Sequence, residues 1–318
     1  MSAGTGFQQA FARLVAALSR TGIERVPGVR QAYALLHRLA FPGGEQRIVV
    51  NEMLMWVDTR DRVIATHLLG ERIWEPTETA AFLKLAREGM CVFDVGANIG
   101  YYTLLAARAV GTSGRVYAFE PEPHNFGFLT RNVAENRFTN VRPVNAAVSN
   151  RAGVMRLHLD DANFGAHSFE AGSVRSSSGR SVDVGTVRLD DFAEEARAFG
   201  AGVLVKIDVQ GAEALVVDGG RGLFALPRIT ALLEFWPEAL ERAKADPARL
   251  LADLEGLGFR FEDVELPEAE RRPLRPADIL ETCRGRSQPW MNLLLTKGLG
   301  PEGGVRTPDL PADERPPA

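Results

Sequence analysis

From Cys91 onward the chain alternates short apolar runs with helical segments, and that alternation limits its fold more than any other feature. The runs cover residues 91–95, 116–120, 141–148, 203–209 and 229–235, and helical segments lie between most of them. Strands that are apolar on both faces need cover on both, so the pattern predicts an α/β domain with a parallel sheet between layers of helices. Runs at 259–264 and 290–296 supply two closing strands. The interval between the third and fourth runs departs from the rule. There, 154–159 and 182–189 read as extra strands flanking a loop, 160–181, that is rich in Ser and Gly. Its length suits a lid or a substrate-binding insertion, with an ordinary surface loop as the plain alternative.

The flanks read differently. Residues 1–45 form an expected amphipathic helical arm, with Phe7, Phe11, Leu14, Val15 and Leu18 at helical spacing, a break at Pro27 and Gly28, and a second patch at Tyr33, Leu35, Leu36 and Leu39. Arg13, Arg20, Arg25, Arg30 and Arg38 make the arm basic. Such an arm covers apolar surface on its own domain or on a second copy, which makes a homodimer a candidate; a membrane-surface or partner helix is the alternative. Residues 46–88 read as a small antiparallel β unit, with runs at 48–50, 53–57 and 63–67, then a leading helix opened by Pro76. Residues 89–297 make the main domain, and 298–318, rich in proline and charge, read as a disordered tail.

Composition narrows the partners. A chain of 318 residues, 45% of them hydrophobic, can bury one large core, and a formal net charge of only -4 supplies no field to hold nucleic acid. No run approaches the ~20 apolar residues of a membrane span. The N-terminus lacks a signal-peptide pattern, and Cys91 and Cys283 lie too far apart in sequence to indicate a disulfide framework or zinc site. A soluble, cytoplasmic protein is expected.

The most informative stretch is Phe93-Asp94-Val95-Gly96-Ala97-Asn98-Ile99-Gly100, which ends the first run and leads into the helical segment 101–110. Glycines at a strand-to-helix turn permit tight backbone angles and close ligand approach, and free amides at the helix start favour an anionic group. The spacing, Gly96 then Gly100, is not the Gly-x-Gly-x-x-Gly of dinucleotide enzymes. Asp94 at the mouth of the turn disfavours a pyrophosphate and suits a ligand carrying an ammonium and a sulfonium. The next run ends at Glu120, where a nucleotide-type α/β fold places the acid that hydrogen-bonds both ribose hydroxyls. A plain connection at the turn and a surface glutamate at 120 are the alternatives.

A third group lies in Leu204-Val205-Lys206-Ile207-Asp208-Val209-Gln210-Gly211-Ala212-Glu213. Lys206 and Asp208 share a strand face, and a charge at Lys206 inside a covered sheet demands a partner. Asp208 falls at the carboxyl end of its strand, the edge where open α/β sheets bind ligands; Glu213 follows in the next helix, and Glu234 approaches the same edge from the fifth run. Converging carboxylates bind a divalent cation or act as a base, and the spacing does not choose between them. A purely structural ion pair for Lys206 stays open. His124 and His167 are the histidines within reach of this edge, His167 as a candidate base, whereas His37, His67 and His158 carry no evident role.

Taken in order, these stretches resemble the FkbM-type methyltransferases. The similarity begins at Trp74-Glu75-Pro76-Thr77-Glu78, runs through the Asp94 to Gly100 turn, Ala118-Phe119-Glu120-Pro121, Asn145-Ala146-Ala147-Val148-Ser149 and Asn163-Phe164-Gly165, and ends with Leu189-Asp190-Asp191-Phe192, the Lys206 to Glu213 stretch and Leu233-Glu234-Phe235. The resemblance implies a class I methyltransferase fold, a Rossmann-like, seven-stranded, mostly parallel sheet with helices on both faces. It also implies S-adenosylmethionine as methyl donor and a small-molecule or glycan hydroxyl as acceptor. On that basis Asp94, Gly96, Asn98, Gly100, Thr103 and Asp208 line the donor, Glu120 holds its ribose and Ala147 lies near adenine. Asp208, Glu213 and Glu234, with Lys206 orienting or balancing them, face the acceptor. No metal ligand is assigned, and a divalent cation is left as an open addition. One departure matters: Gln210 stands where the family usually has glutamate, which removes that acid or moves its task to Glu213. Two other functions compete. A nicotinamide-dependent oxidoreductase is opposed by the glycine spacing, and a catalytically silent methyltransferase-like binding module draws its support from Gln210.

Overall fold

The computed structural model describes residues 11, 29–41, 44–174, 178–285 and 289–297. Most of the expected arm before Val29, and the expected tail at 298–318, lie outside the described residues. Helix α1 (Val29–Ala40) docks through its Tyr33 and His37 side. The Tyr33 hydroxyl donates to the Arg62 carbonyl at 2.8 Å, and the His37 ring meets the Thr66 hydroxyl at 3.0 Å. Leu35, Leu36 and Leu39, from the same expected patch, stay exposed.

A hairpin follows, β1 (Glu45–Val50) and β2 (Met53–Asp58), paired antiparallel. The run at 63–67, expected as a strand, is instead the start of helix α2 (Ile64–Glu71). An apolar run this short fits either state by periodicity alone. Here the Asp61 carboxylate accepts the Val63 N–H at 2.8 Å and turns the chain into a helix. Helix α3 (Pro76–Leu85) opens at its proline and leads to the sheet.

The remaining strands are β3 (Cys91–Val95), β4 (Arg115–Phe119), β5 (Val141–Val144), β6 (Ala147–Val148), β7 (Gly153–His158), β8 (Ser181–Val187), β9 (Val203–Ile207), β10 (Ile229–Phe235), β11 (Phe259–Asp263) and β12 (Met291–Lys297). Seven of them form one sheet in the order β11-β12-β10-β9-β3-β4-β5. Pairing is parallel from β5 across to β10, and β12 enters antiparallel between β10 and β11. Helices α4 (Tyr101–Val110) and α5 (Pro123–Glu135) pack on one face, and α6 (Glu213–Asp218) and α7 (Pro247–Gly256) on the other. Strand parity assigns the two cores. Val92 of β3 and Leu204 of β9 join the first, while Phe93, Val95, Val205 and Ile207 join the second. Asp94 and Lys206 therefore project toward the first core.

The run expected as one strand at 141–148 breaks in two. The Asn145 side chain donates to the Glu120 and Pro121 carbonyls at 2.9 and 3.1 Å, which pins the chain and turns β6 out of the main sheet. There it pairs with β8, itself antiparallel to β7, in a separate three-stranded sheet. That small sheet carries the 160–181 loop toward the carboxyl edge of the main one. The hairpin is secured from α5, where the Asn132 and Asn136 amides bond the backbone N–H and carbonyl of Trp56 and Leu54 as a neighbouring strand would.

Candidate functional site

Connection order reverses between β3, which leads outward to β4, and β9, which begins the other half; open α/β sheets bind ligands at the carboxyl side of such a point. Asp94 and Lys206 are direct register partners there. The Thr103 hydroxyl donates to Asp94 at 2.6 Å, and burial pushes the Asp94 carboxyl up to about 6 against the pull of Lys206 and Thr103. Lys206 is almost fully buried, with its ammonium 3.5 Å from Glu78, 3.4 Å from Asp208 and 4.4 Å from the centre of the Tyr102 ring. Burial opposes its charge, but Glu78, Asp208, Glu75 and Asp94 more than offset this and raise its pKa. Burial likewise works against ionising Asp208, and Lys206 and Gln210 outweigh it, so this carboxylate stays below its ordinary value.

The glycine turn brings two loops into contact. Gly96 has φ +87°, and a Cβ there would stand 1.9 Å from the Asp208 carbonyl oxygen, so only glycine lets the turn lie against the end of β9. Gly100 is left-handed as well, at φ +94°, where a side chain is strained, and a Cβ there would also meet the Leu129 side chain of α5 at 2.8 Å. Asn98, also left-handed at φ +50°, donates its backbone N–H to Glu120 Oε2 at 2.8 Å. The second Glu120 oxygen accepts the Glu122 N–H at 2.9 Å. Burial pushes the Glu120 carboxyl up to about 8, although both amides pull the other way.

Two lobes that share part of their lining open at this edge. The larger, about 690 Å³, is walled by Asp94, Gly96, Asn98, Lys206, Asp208, Gln210, Glu234 and Glu75, with Trp74, Tyr101, Tyr102, Trp236 and Trp290 as its aromatic surfaces. The smaller, about 60 Å³, is lined by Glu120, Ala147, Val148 and His167, and shares Gly96, Asn98, Asp208 and Gln210 with the larger. Phe164, His167 and Phe169 from the 160–181 loop close over it. The Phe164 carbonyl accepts the side-chain amides of Asn98 and Asn125 at 3.2 and 2.8 Å, stapling the loop to the glycine turn.

Most of the residues singled out in the sequence thus meet in one cleft; Gly100, Thr103 and Glu213 stand behind its wall. Glu213 is fully buried, accepts the Gly211 N–H at 2.9 Å, and is pushed up to about 7 by burial. His167 reaches the smaller lobe, where its Nδ1 accepts the Asp160 N–H at 3.0 Å and burial lowers its pKa. His124 instead pairs with Asp58 at 2.8 Å, outside the lining of either lobe. Glu75 and Glu78 had drawn no role from the sequence. Glu75 occupies the left-handed N-cap of α3, accepts the Tyr102 hydroxyl at 3.2 Å and opens onto the larger lobe; burial, then Glu78, hold its pKa well above the ordinary range. The available signal was the unpaired charge at Lys206, which requires carboxylates from elsewhere in the chain. Among the described residues no group of three or more His, Cys, Asp or Glu side chains is placed to hold a metal ion, and no helix is long and apolar enough to cross a membrane.

The strand order with its one antiparallel insertion, the acid-flanked glycine turn and the cleft at the reversal point define a Rossmann-like, class I methyltransferase. The family model for the methyltransferase FkbM domain matches residues 94–261, over half of the chain. The chain belongs to this family of S-adenosylmethionine-dependent methyltransferases. It is 33% identical over 159 residues to the 31-O-demethyl-FK506 methyltransferase FkbM of Streptomyces tacrolimicus, a match covering 42% of this chain and 60% of that protein. It is 30% identical over 138 residues to the hexuronic acid methyltransferase AglP of Haloferax volcanii, covering 43% of this chain and 52% of the relative. The chain thus spans between about half and three fifths of the length of these curated relatives. Among solved structures, a methyltransferase FkbM from Methylobacillus flagellatus KT aligns at 13% identity and a TM-score of 0.38, covering 66% of this chain and 43% of that one.

Proposed function

We propose that the chain is an S-adenosylmethionine-dependent O-methyltransferase whose acceptor is a hydroxyl of a sugar, glycan or secondary metabolite. The carrying observation is that Asp94 and Glu120, at the ends of adjacent strands, flank the Gly96 turn beside a large lobe walled by carboxylates and aromatic rings. When bound, S-adenosylmethionine supplies a methyl group made electrophilic by its sulfonium. The residues present fit it. Each Glu120 oxygen takes one backbone N–H and keeps lone pairs for a ribose hydroxyl. Asp94 offers a carboxylate to the ammonium, and Ala147 and Val148 give the smaller lobe an apolar wall for a base. That lobe holds a few waters' volume, so Phe164, His167 and Phe169 must move aside for a nucleoside.

On the acceptor side, Asp208 and Glu234 hold the hydroxyl in line with the methyl group; Asp208, kept ionised by Lys206, takes up its proton, whereas burial and the Asp208 charge hold the Glu234 carboxyl well above its ordinary range. Glu213, behind the wall, supports the turn that carries Gln210. An oxygen acceptor on a sugar or secondary metabolite is supported by the names of the two relatives, a 31-O-demethyl-FK506 methyltransferase and a hexuronic acid methyltransferase, and by the aromatic surfaces of the lobe. Residues 89–297 would form the catalytic domain, with 46–88 and the arm, 1–45, as appendages. Exposed Leu35, Leu36 and Leu39 favour a second copy as the arm's partner; a net charge of only -4 argues against a nucleic-acid partner, and the site of action is taken to be the cytoplasm. The test is transfer of radiolabelled methyl from S-adenosylmethionine to a panel of sugars and macrolide alcohols, with calorimetry of S-adenosylhomocysteine in parallel. Asp208→Asn is expected to lower turnover by about 10²–10⁴-fold and leave S-adenosylhomocysteine affinity within a few-fold. Unchanged turnover in that variant would refute the assignment.

A further inference from the structure

Asp208 and Glu234 reach the larger lobe from neighbouring parallel strands. Two carboxylates converging on one point repel each other unless a positive or protic group lies between them. The Lys206 ammonium pairs with Asp208 and with Glu78, at 3.4 and 3.5 Å, while burial and the Asp208 charge push the Glu234 carboxyl well above its ordinary range. What stands between the two acids is the Gln210 side chain: its Nε2 donates to Asp208 Oδ1 at 2.9 Å and to Glu234 Oε2 at 2.8 Å. A backbone φ of +52°, unusual for a residue with a Cβ, brings this amide to the lobe. A divalent cation joining the same two carboxylates would need that same point, ringed by oxygen lone pairs at about 2.0–2.6 Å. Gln210 turns hydrogens toward it. This donor set does not fit a bridging cation.

We propose that Gln210 is a positioning residue whose amide takes the place of a bridging cation between Asp208 and Glu234, so that the acceptor wall is assembled without divalent metal. The idea rests on the methyltransferase reading for its functional meaning, but its test is separate. Gln210→Glu would convert the clamp into a third carboxylate and create a cation site. The measurements are thermal unfolding of the whole chain in EDTA and in MnCl2, for wild type, Gln210→Glu and Gln210→Ala, and calorimetric titration of wild type with MnCl2. Wild type is expected to unfold at the same temperature in both media and to bind no Mn²⁺ saturably. Gln210→Glu is expected to lose several degrees in EDTA and to regain them saturably with Mn²⁺, and Gln210→Ala to lose stability that Mn²⁺ does not restore. Saturable Mn²⁺ binding by wild type, or a folded Gln210→Glu that ignores Mn²⁺, overturns the proposal. If Gln210→Glu fails to fold, the wild-type titration still decides. Binding of S-adenosylhomocysteine to wild type, measured alongside, tests the methyltransferase reading by itself: its loss would sink that reading whatever the Mn²⁺ arms return.

Discussion

Replacing Glu120 by glutamine tests the proposed ribose site through protons as well as affinity. In the ligand-free chain burial pushes this carboxyl from its ordinary 4.5 up to about 8, so at pH 6 nearly every molecule carries a proton there. Ribose hydroxyls donate to the ionised form, and binding of S-adenosylhomocysteine at pH 6 should therefore release close to one proton from Glu120. Affinity should climb about tenfold per pH unit from 6 toward 8 and level off above. Asp94, pushed up to about 6, adds part of a second proton near that pH, so the difference between wild type and variant isolates Glu120. Glutamine has one acceptor oxygen for a pocket in which Asn98 and Glu122 already direct two N–H groups at two oxygens. Above pH 8, where wild type is already ionised, losing two charge-assisted hydrogen bonds at about 1.5–3 kcal/mol each weakens binding by roughly 10²–10⁴-fold. The same shift has a sign for stability. With the folded pKa above the unfolded one, the native chain binds the extra proton between about 4.5 and 8, so this group's contribution falls as pH rises through that window, and the glutamine variant flattens the slope. Calorimetry at pH 6 in two buffers of different ionisation enthalpy counts the protons. Equal proton release by both proteins at pH 6, or affinity in the variant within threefold of wild type above pH 8, where Glu120 is already ionised, would refute the reasoning.

Gly96→Ala places a methyl group 1.9 Å from the Asp208 carbonyl at φ +87°, so the two loops must part; a cost of about 4 kcal/mol or more is expected, read as a fall in Tm of roughly 8 °C or more with loss of S-adenosylhomocysteine binding, and a variant of normal stability would contradict the close approach. Lys206→Met removes the cation that faces Glu78, Asp208, Glu75 and Asp94, at a cost of about 3–5 kcal/mol. Without it those acids ionise less readily, the native state binds more protons, and the deficit should shrink as pH falls; urea titrations from pH 5 to 8 showing a deficit that is flat or grows toward acid would rule this out.

The parallel sheet was legible because its strands are apolar on both faces, a pattern that local sequence carries in full. The glycine turn and Glu120 were legible for a related reason: each sits at a strand end, where position along the chain fixes position on the sheet edge. Failures came where periodicity is silent. Residues 63–67, Val-Ile-Ala-Thr-His, are too few for periodicity to choose a state, and the Asp61 turn, not the pattern, makes them a helix. Residues 141–148 read as continuous because the bonds from Asn145 to the Glu120 and Pro121 carbonyls join segments that no window of sequence holds together. Gln210 looked like a departure that weakens the site, since its partners Asp208 and Glu234 are brought to one amide only by strand pairing.

Lys206 shows why the site extends beyond the matched stretch at 94–261. A single buried ammonium on β9 cannot remain charged beside Asp208 alone, because burial opposes the charge. Its second partner is Glu78 of α3, 3.5 Å away, and Glu75 sits one helical turn earlier on the same segment, at the mouth of the larger lobe. The charge requirement of the sheet edge therefore fixes α3 over the cleft, and with it Trp74 and Tyr102 on the lobe's wall. A lobe assembled in this way gets part of its shape from residues ahead of the glycine turn. Differences in acceptor choice among chains that share the turn should accordingly track the segment around Glu75 and the 160–181 loop, and not the residues that grip the donor.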